Sequence, residues 1–466
     1  MNPEAIRLLS DLLGPSNLKT ALEDRITYAF DASGTRAIPE AVLFPRTRED
    51  VPEIVKIAAR FGIPITARGA GSGLTGGAVA PSSGMVLDMS CLDRIIRIDP
   101  GNLLAEVEPG VVTAELQAAV EREGLFYPPD PASGSFSTIG GNIAENAGGM
   151  RAVKYGVTRN YVMGLEVVLA SGEVIHTGSK CLKDVVGYDL TTLFVGSEGT
   201  LGIITRAILR LLPLPEARRT LLALFPSMSK AAETVPRLFK SRVVPSTLEF
   251  MDRVCIEVVS KYLESGFPEN AEAVLLIEVD GRRSAVNEEM GEVHRVCKEQ
   301  GAMEIQTAAS ESERDVLWRS RRSIHNALRR LRPRWEEEDV SVPIASIPAM
   351  IETMEQIRRS HGLLLACFGH VGDGNLHISY VPKDETATDS PRLGRARHDI
   401  LRAAVDLEGR IAAEHGIGSI KRKEIGWNLD QPTLHLMETV KHLLDPDGIF
   451  NPGKIFPGEE AGSHAS

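Results

Sequence analysis

Apolar positions change their period several times along the first two hundred residues. "AVLFP" (41–45) is a continuous apolar run and predicts a strand. "TREDVPEIVKIAARFG" (47–62) spaces Val51, Ile54, Val55 and Ala58 three and four apart and predicts an amphipathic helix. Thr47 can cap it, Glu49 and Asp50 sit in the first turn, Pro52 is tolerated early, and Gly62 ends it. "IPITAR" (63–68) and "GMVLDM" (84–89) read as two more strands. "YVMGLEVVLASGEVIHTG" (161–178) alternates as a hairpin with "ASGE" as its turn. Before residue 41 the pattern supports only a short helix and a loop.

The pattern changes after Pro213 and Pro215, which read as a domain exit. From there charged amphipathic helices alternate with apolar runs such as "AEAVLLIEVDG" (271–281), which predicts a separate α+β domain. "LLLACFGHVGDGNLHISYVP" (363–382) reads as strand, tight turn, strand, with "GDGN" as the turn. The resulting division is 1–215, 216–410 and a C-terminal segment 411–466, whose tail "GEEAGSHAS" reads as disordered.

Composition narrows the class. The chain has 466 residues, 43% of them hydrophobic and 25% charged, with a net charge of −11. Such an acidic balance argues against nucleic acid as a partner. Cys91, Cys181, Cys255, Cys297 and Cys367 are widely spaced with no C-x-x-C, which argues against an iron–sulfur cluster or zinc knuckle and suits a reducing compartment. "MNPEAIRLLSDLLG" resembles neither a secretory signal nor a transit peptide, and no run of about 18 apolar residues offers a membrane span. The expectation is a cytoplasmic protein, able to dock on a membrane-associated partner, as a homodimer or hetero-oligomer.

Three stretches are rich in small residues: "RGAGSGLTGG" (68–77), "DPASGSFSTIGGNIAENAGGMRAVKYG" (130–156) and "LFVGSEGTLGIITRAILRLLPLP" (193–215). They are either unrelated surface loops or one cradle for a diphosphate-bearing cofactor, whose close approach glycine permits and whose charge backbone N–H groups can meet. Their length, their few charges and the position of the first directly after a strand favour a cradle. It is not a Walker loop, because no Gly-Lys-Ser/Thr follows, and it is a poor Rossmann fingerprint, because "AVAPSSGMV" rather than a helix comes next.

His370 and His377 flank the "GDGN" turn, so their side chains can converge across the hairpin. With a carboxylate they make a first-row metal site; without one they are two polar residues near a turn. "DVLWRSRRSIHNALRRLRPRW" (315–335) carries many arginines, most of which suit a solvated helix face.

Taken together, "PRTREDVPEIVKIA", "PITARGAGSGLTGG", "PPDPASGSFSTIGGNIAENAGG", "LFVGSEGTLGIIT", "GHVGDGNLH", "EHGIG" and "FNPGKIF" resemble the flavoproteins of the vanillyl-alcohol oxidase/para-cresol methylhydroxylase fold, over Ala41 to Phe456. Within that fold they are most similar to the FAD-linked D-2-hydroxyacid dehydrogenases: D-lactate dehydrogenases, the glycolate oxidase flavin subunit and D-2-hydroxyglutarate dehydrogenase. The resemblance implies an α+β chain with a two-part FAD-binding domain, an α+β substrate or cap domain with an antiparallel sheet, and a C-terminal helical segment that returns to the flavin site. It implies FAD contacts from Arg68, Gly69, Ala70, Gly71, Ser72 and Gly73 at the diphosphate. Pro131, Ser137, Thr138, Gly140, Gly141, Asn142, Ala147, Gly148 and Gly149 would line the flavin and ribityl side, with Glu198, Gly202, Ile204 and Asn451 also nearby. Relatives with covalent FAD often carry a histidine just after the first glycines; "GSGLT" has none, which implies non-covalent FAD.

The same resemblance implies a divalent metal (Zn, Fe or Mn) on His370, His377 and Glu414, with His415 as catalytic base and Asn375 near the substrate. It places the carboxylate-binding arginine at Arg321, in the W-x-x-R pattern from Trp318, with Tyr155 and Lys454 as further substrate contacts. Relatives acting on hydroxyglutarate carry a lysine just before "D-x-S-x-P". Here "WEEEDVSVP" puts Glu337 there, beside Glu336 and Glu338, which favours a small monocarboxylate such as D-lactate or glycolate. Electrons would pass to an electron-transfer flavoprotein, a quinone or an iron–sulfur subunit. Two alternatives stay open: another oxidase of the same fold, which would not need the histidine set, and a flavin electron-transfer subunit without substrate chemistry of its own.

Overall fold

Ala41–Leu43, Met85–Asp88 and Ile65–Arg68 lie side by side in that order as a parallel sheet, with the short Leu18–Lys19 strand added antiparallel at one edge. This computed structural model describes residues 1–263, 267–331, 337–381 and 390–458. Covered sheets of this kind favour unbroken apolar strands, as read from "AVLFP". Helix Asp50–Phe61 buries Val51, Ile54, Val55 and Ala58 against Leu9 and Leu13 of helix Pro3–Leu13. Its start differs from the sequence expectation: Thr47 makes no cap. Asp50 reaches back instead, accepting the N–H groups of Arg46 at 2.9 Å and Thr47 at 3.2 Å. An ionised carboxylate is the stronger acceptor for those exposed donors. Gly62 ends the helix at φ 61°, as expected.

A second, antiparallel sheet runs in the order Ile95–Asp99, Leu104–Val107, Ile203–Arg210, Val162–Val168, Val174–Gly178. The last two strands are the predicted hairpin, with Val168 opposite Val174 and Gly172 at φ 79° in its turn.

A seven-stranded antiparallel sheet follows, ordered Glu304–Thr307, Ala217–Phe225, Ala273–Gly281, Thr247–Asp252, Leu364–Gly369, Asn375–Val381, Glu337–Ser341. One of its cores gathers Leu222, Leu224, Met251, Leu276 and Phe368 from the strands and Trp318, Ile324 and Leu328 from the helices Glu311–Arg322 and Ile324–Leu331.

The chain divides into two compact units. One holds Met1–Gly148, Val157–Leu214 and everything from Glu414; the other holds Gly149–Gly156 and Pro215–Ala413. The architecture is α+β. The tail from residue 459 and Glu336 lie outside the described residues.

Candidate functional site

In the first unit the Ile65–Arg68 strand runs straight into the glycine loop. A Cβ on Gly69 would stand 2.1 Å from Oγ1 of Thr138, so this loop and the second small-residue segment touch through a missing side chain. Gly71, at φ 66°, leaves the space its Cβ would take to the Arg68 guanidinium. The backbone N–H groups of Ala70, Gly71, Ser72, Gly73 and Leu74 meet no acceptor among the described residues. Five successive donors on a glycine loop form the concave, cationic surface that suits a diphosphate. The loop therefore fits the cofactor through its backbone.

Several side chains expected at the flavin hold protein instead. Nη1 of Arg68 donates to the carbonyls of Phe30 at 2.8 Å and Ala78 at 3.2 Å, so the arginine shapes the loop from behind. Asn451 is buried and gives both amide hydrogens away, to the carbonyls of Gly77 (2.9 Å) and Glu198 (2.8 Å), while its Oδ1 accepts from Thr66. Asn142 donates to Oγ1 of Thr113 at 2.7 Å, and Ser137 lies beside the same hydroxyl. A Cβ on Gly202 would meet Val167 at 2.5 Å, which makes it a packing glycine. Short polar residues look like ligand contacts by type; here neighbouring protein groups, backbone carbonyls for Asn451 and the Thr113 hydroxyl for Asn142, claim them first.

The "EHGIG" segment packs on this loop within the same unit. Thr75 Oγ1 donates to the His415 carbonyl at 3.0 Å, and Ser419 N–H donates to the Thr75 carbonyl at 2.9 Å. A Cβ on Gly148 would stand 2.8 Å from a Glu414 oxygen. Glu198, held at φ 52° in the left-handed region, accepts the N–H groups of Ile417 at 2.8 Å and Gly418 at 2.7 Å. Burial pushes its carboxyl upward, opposed by those two amides and by Lys454. Glu198 thus braces the segment that carries His415. A Cβ on Gly416 would sit 2.5 Å from one oxygen of Glu145 and 3.0 Å from one of Glu198. Burial first, then the facing Glu198, push the Glu145 carboxyl well above its ordinary range. Lys454 donates to the Val79 carbonyl at 3.0 Å, and burial pushes its ammonium downward.

In the second unit the predicted hairpin forms as written. His377 lies opposite Phe368, and His370 sits just beyond Gly369 at the turn. Both histidines are buried, and their rings stand edge to face with centroids 5.2 Å apart. One donor nitrogen from each lies within 4.8 Å of the other. Nδ1 of His370 meets Oε1 of Glu249 at 2.6 Å, and Oε2 of Glu249 accepts from Nε of Arg321 at 2.6 Å. Burial alone would raise the Glu249 carboxyl, but His370 and Arg321 hold it down at about 2. A carboxylate on Nδ1 leaves Nε2 as the coordinating nitrogen, the usual arrangement behind a metal-binding histidine. Two such imidazoles fit a divalent first-row cation.

The other expected contacts divide. Asn375 donates to Oδ1 of Asp339 at 2.6 Å and to the Val340 carbonyl at 3.0 Å; its buried Oδ1 has no hydrogen-bond partner among the described residues. Asp339 also accepts the N–H of Ala413, the residue before Glu414. Tyr155 donates its hydroxyl to Asp280 at 2.8 and 2.9 Å, beside Lys154 on the same carboxylate, so it fastens its own segment. Glu337 accepts from Ser379 Oγ at 2.7 Å, and its side chain is 3% exposed. Sequence reading missed Glu249 and Asp339. The available signal was an acid inside each of two strand-like runs, "TLEFMD" and "EEDVS".

Two family models match the chain: an FAD binding domain over residues 39–178, and the C-terminal domain of FAD linked oxidases over 214–455. The glycolate oxidase subunit GlcD of Bacillus subtilis is 43% identical over 449 residues, covering 96% of each chain. A D-lactate dehydrogenase of Archaeoglobus fulgidus is 36% identical, covering 92% of this chain and 95% of its own. Among solved structures, p-cresol methylhydroxylase with substrate bound matches with a TM-score of 0.80 at 19% identity, covering 97% of this chain and 96% of that one. That likeness shows the fold.

Proposed function

The chain belongs to the FAD-linked oxidases, and from that membership we propose that it oxidises a small D-2-hydroxyacid, D-lactate or glycolate, to the 2-oxoacid. The observation that carries the reading is the His370–His377 pair with Glu249 behind His370. Oxidation of a simple phenol or ether has no need of such a pair. Relatives named glycolate oxidase subunit and D-lactate dehydrogenase support the substrate class.

In this reading the N–H groups of residues 70–74 bind the FAD diphosphate, and the small-residue segments around Pro131, Thr138–Gly141, Ala147–Gly149 and Ile204 line the rest of the cofactor. The flavin is held without a covalent bond. FAD, when bound, supplies the acceptor for the hydride that leaves Cα. His370 and His377, with Glu414 as the third donor that the resemblance implies, would hold a divalent cation, which would make the substrate hydroxyl more acidic. His415 takes the hydroxyl proton. Arg321 meets the carboxylate with the guanidinium nitrogens that Glu249 does not use, and the unpartnered Oδ1 of Asn375 offers an acceptor to the substrate. The buried Glu337 disfavours a second carboxylate by charge. Electrons then leave to a carrier: an electron-transfer flavoprotein, a quinone or an iron–sulfur subunit. Among the described residues no helix is long and apolar enough to cross a membrane.

The test is anaerobic titration of the flavin absorbance with D- and L-lactate, glycolate and D-2-hydroxyglutarate, before and after chelation. Bleaching by D-lactate or glycolate that chelation abolishes is the expected result. Bleaching by none of them overturns the reading in favour of an electron-transfer subunit, and a tenfold preference for D-2-hydroxyglutarate overturns the substrate assignment.

A further inference from the structure

Glu249 sits in the middle of Thr247–Asp252, a strand buried at every position, and is itself fully buried. An ionised group there is costly unless it is paired and hydrogen-bonded. Its two oxygens go to two different elements. Oε1 meets His370 of the hairpin, 121 positions later, and Oε2 meets Arg321 of helix Glu311–Arg322, 72 positions later. Arg321 shares a floor with the second histidine: its guanidinium lies 5.1 Å over the Phe368 ring, and the His377 ring lies 5.4 Å from that ring and edge to face with His370.

A wholly apolar set in place of Glu249, His370 and Arg321 would fill this space more cheaply. What a carboxylate adds is direction. It has no hydrogen to give, so Nδ1 of His370 must be the donor, which in the neutral imidazole puts the lone pair on Nε2. On Arg321 it engages the Nε edge, which fixes the plane of the guanidinium and leaves the two amino groups out of the pair.

We propose that Glu249 is the positioning residue of this site, one carboxylate that sets the tautomer and aim of His370 and the aim of Arg321 together. This rests on the reading above, in which His370 binds a cation and Arg321 the substrate carboxylate. Disturbing Glu249 therefore affects cation retention and substrate affinity jointly, although it touches neither.

The experiment uses the full-length, FAD-loaded protein with Zn²⁺ or Co²⁺ as probe. Retention of the metal is measured by chelator competition and metal analysis, KM and kcat with D-lactate, and integrity by flavin absorbance and thermal melting. Glu249→Gln keeps the volume but not the charge. It is expected to weaken metal retention by about 10–100-fold and to raise KM, with FAD content near wild type and a lowered melting temperature, because the buried Arg321 loses its counter-charge. Glu249→Asp is expected to recover part of both losses. A folded Glu249→Gln with wild-type metal retention and KM overturns the proposal. If that variant does not fold, Glu249→Asp decides by the same two readouts. In the wild type, ¹⁵N-imidazole spectra should place the His370 proton on Nδ1; a proton on Nε2 also overturns it. A wild type that retains no metal and oxidises no hydroxyacid overturns the underlying reading as well. An active, metal-bearing wild type with an unaffected Glu249→Gln overturns this proposal alone.

Discussion

The imidazoles of His370 and His377 meet at right angles, 89° between planes, because the hairpin register puts them on one face. Residues directly opposed across an antiparallel pair share a face, as do residues two apart on one strand. His377 opposes Phe368, and His370 follows just past the strand end at Gly369, where the turn brings its ring to His377. His377→Gln should therefore remove one metal donor without disturbing the strands. The expected result is loss of bound metal and a fall in kcat/KM of at least about 100-fold, with FAD retained. Metal analysis beside flavin absorbance checks this; full metal content in the variant removes His377 from the ligand set.

Thr75 fixes the backbone of His415 by donating to its carbonyl. His415→Ala should keep the segment in place and keep both FAD and metal. Anaerobic bleaching by D-lactate is expected to slow by about 10²–10⁴-fold. Stopped-flow absorbance measures it, and an unchanged rate means that another group takes the proton.

The Glu337 side chain is 3% exposed, accepts from the Ser379 hydroxyl and lies 3.6 Å from Nε2 of His325. Replacing it by lysine exchanges repulsion of a second carboxylate for attraction. Glu337→Lys is expected to shift the ratio of kcat/KM for D-2-hydroxyglutarate over D-lactate upward by about tenfold or more, since each 1.4 kcal/mol of differential binding is worth about a factor of ten. Steady-state kinetics on both acids checks it. No change in the ratio places the distal end of the substrate elsewhere.

Gly69 has no room for a side chain, with Thr138 Oγ1 2.1 Å from where Cβ would be. Gly69→Ala must push apart two of the segments assigned to FAD. Loss of most bound FAD is expected, with the apoprotein still folded by circular dichroism. In the wild type, acid precipitation should release all the flavin into the supernatant; flavin in the pellet would show a covalent bond.

Local signals were legible where structure follows neighbouring residues. The "GDGN" turn, the "ASGE" turn and the Gly62 stop all stand where the sequence placed them. Side-chain roles were less legible, because they depend on contacts far along the chain. Nothing in "TLEFMD" signals that its glutamate will meet residues 72 and 121 positions away. Arg68 and Asn451 have the chemistry of ligand contacts, yet the carbonyls of Phe30, Ala78, Gly77 and Glu198 engage them. The transfer of Gly149–Gly156 to the second unit was hidden for the same reason, since Asp280 lies 126 positions from Lys154 and 125 from Tyr155. Thr47 gives no cap because the Asp50 carboxylate, inside the helix, draws the N–H groups of Arg46 and Thr47 to itself.

Glu145 gives a pH-dependent prediction whose sign can be worked out. Its Oε2 makes no hydrogen bond, and burial with the facing Glu198 raises its carboxyl well above the ordinary value. The folded protein therefore binds this proton more tightly than the unfolded chain. The stability so conferred is fully present below the unfolded carboxyl pKa of about 4.3 and is lost as pH rises through the folded value. Glutamine has nearly the same shape and cannot ionise. Glu145→Gln should melt with wild type below about pH 4 and above it by a growing margin as pH rises through the titration of the raised carboxyl. Differential scanning calorimetry across that range measures the margin. A difference in Tm that stays constant with pH would mean that Glu145 does not change its protonation on unfolding.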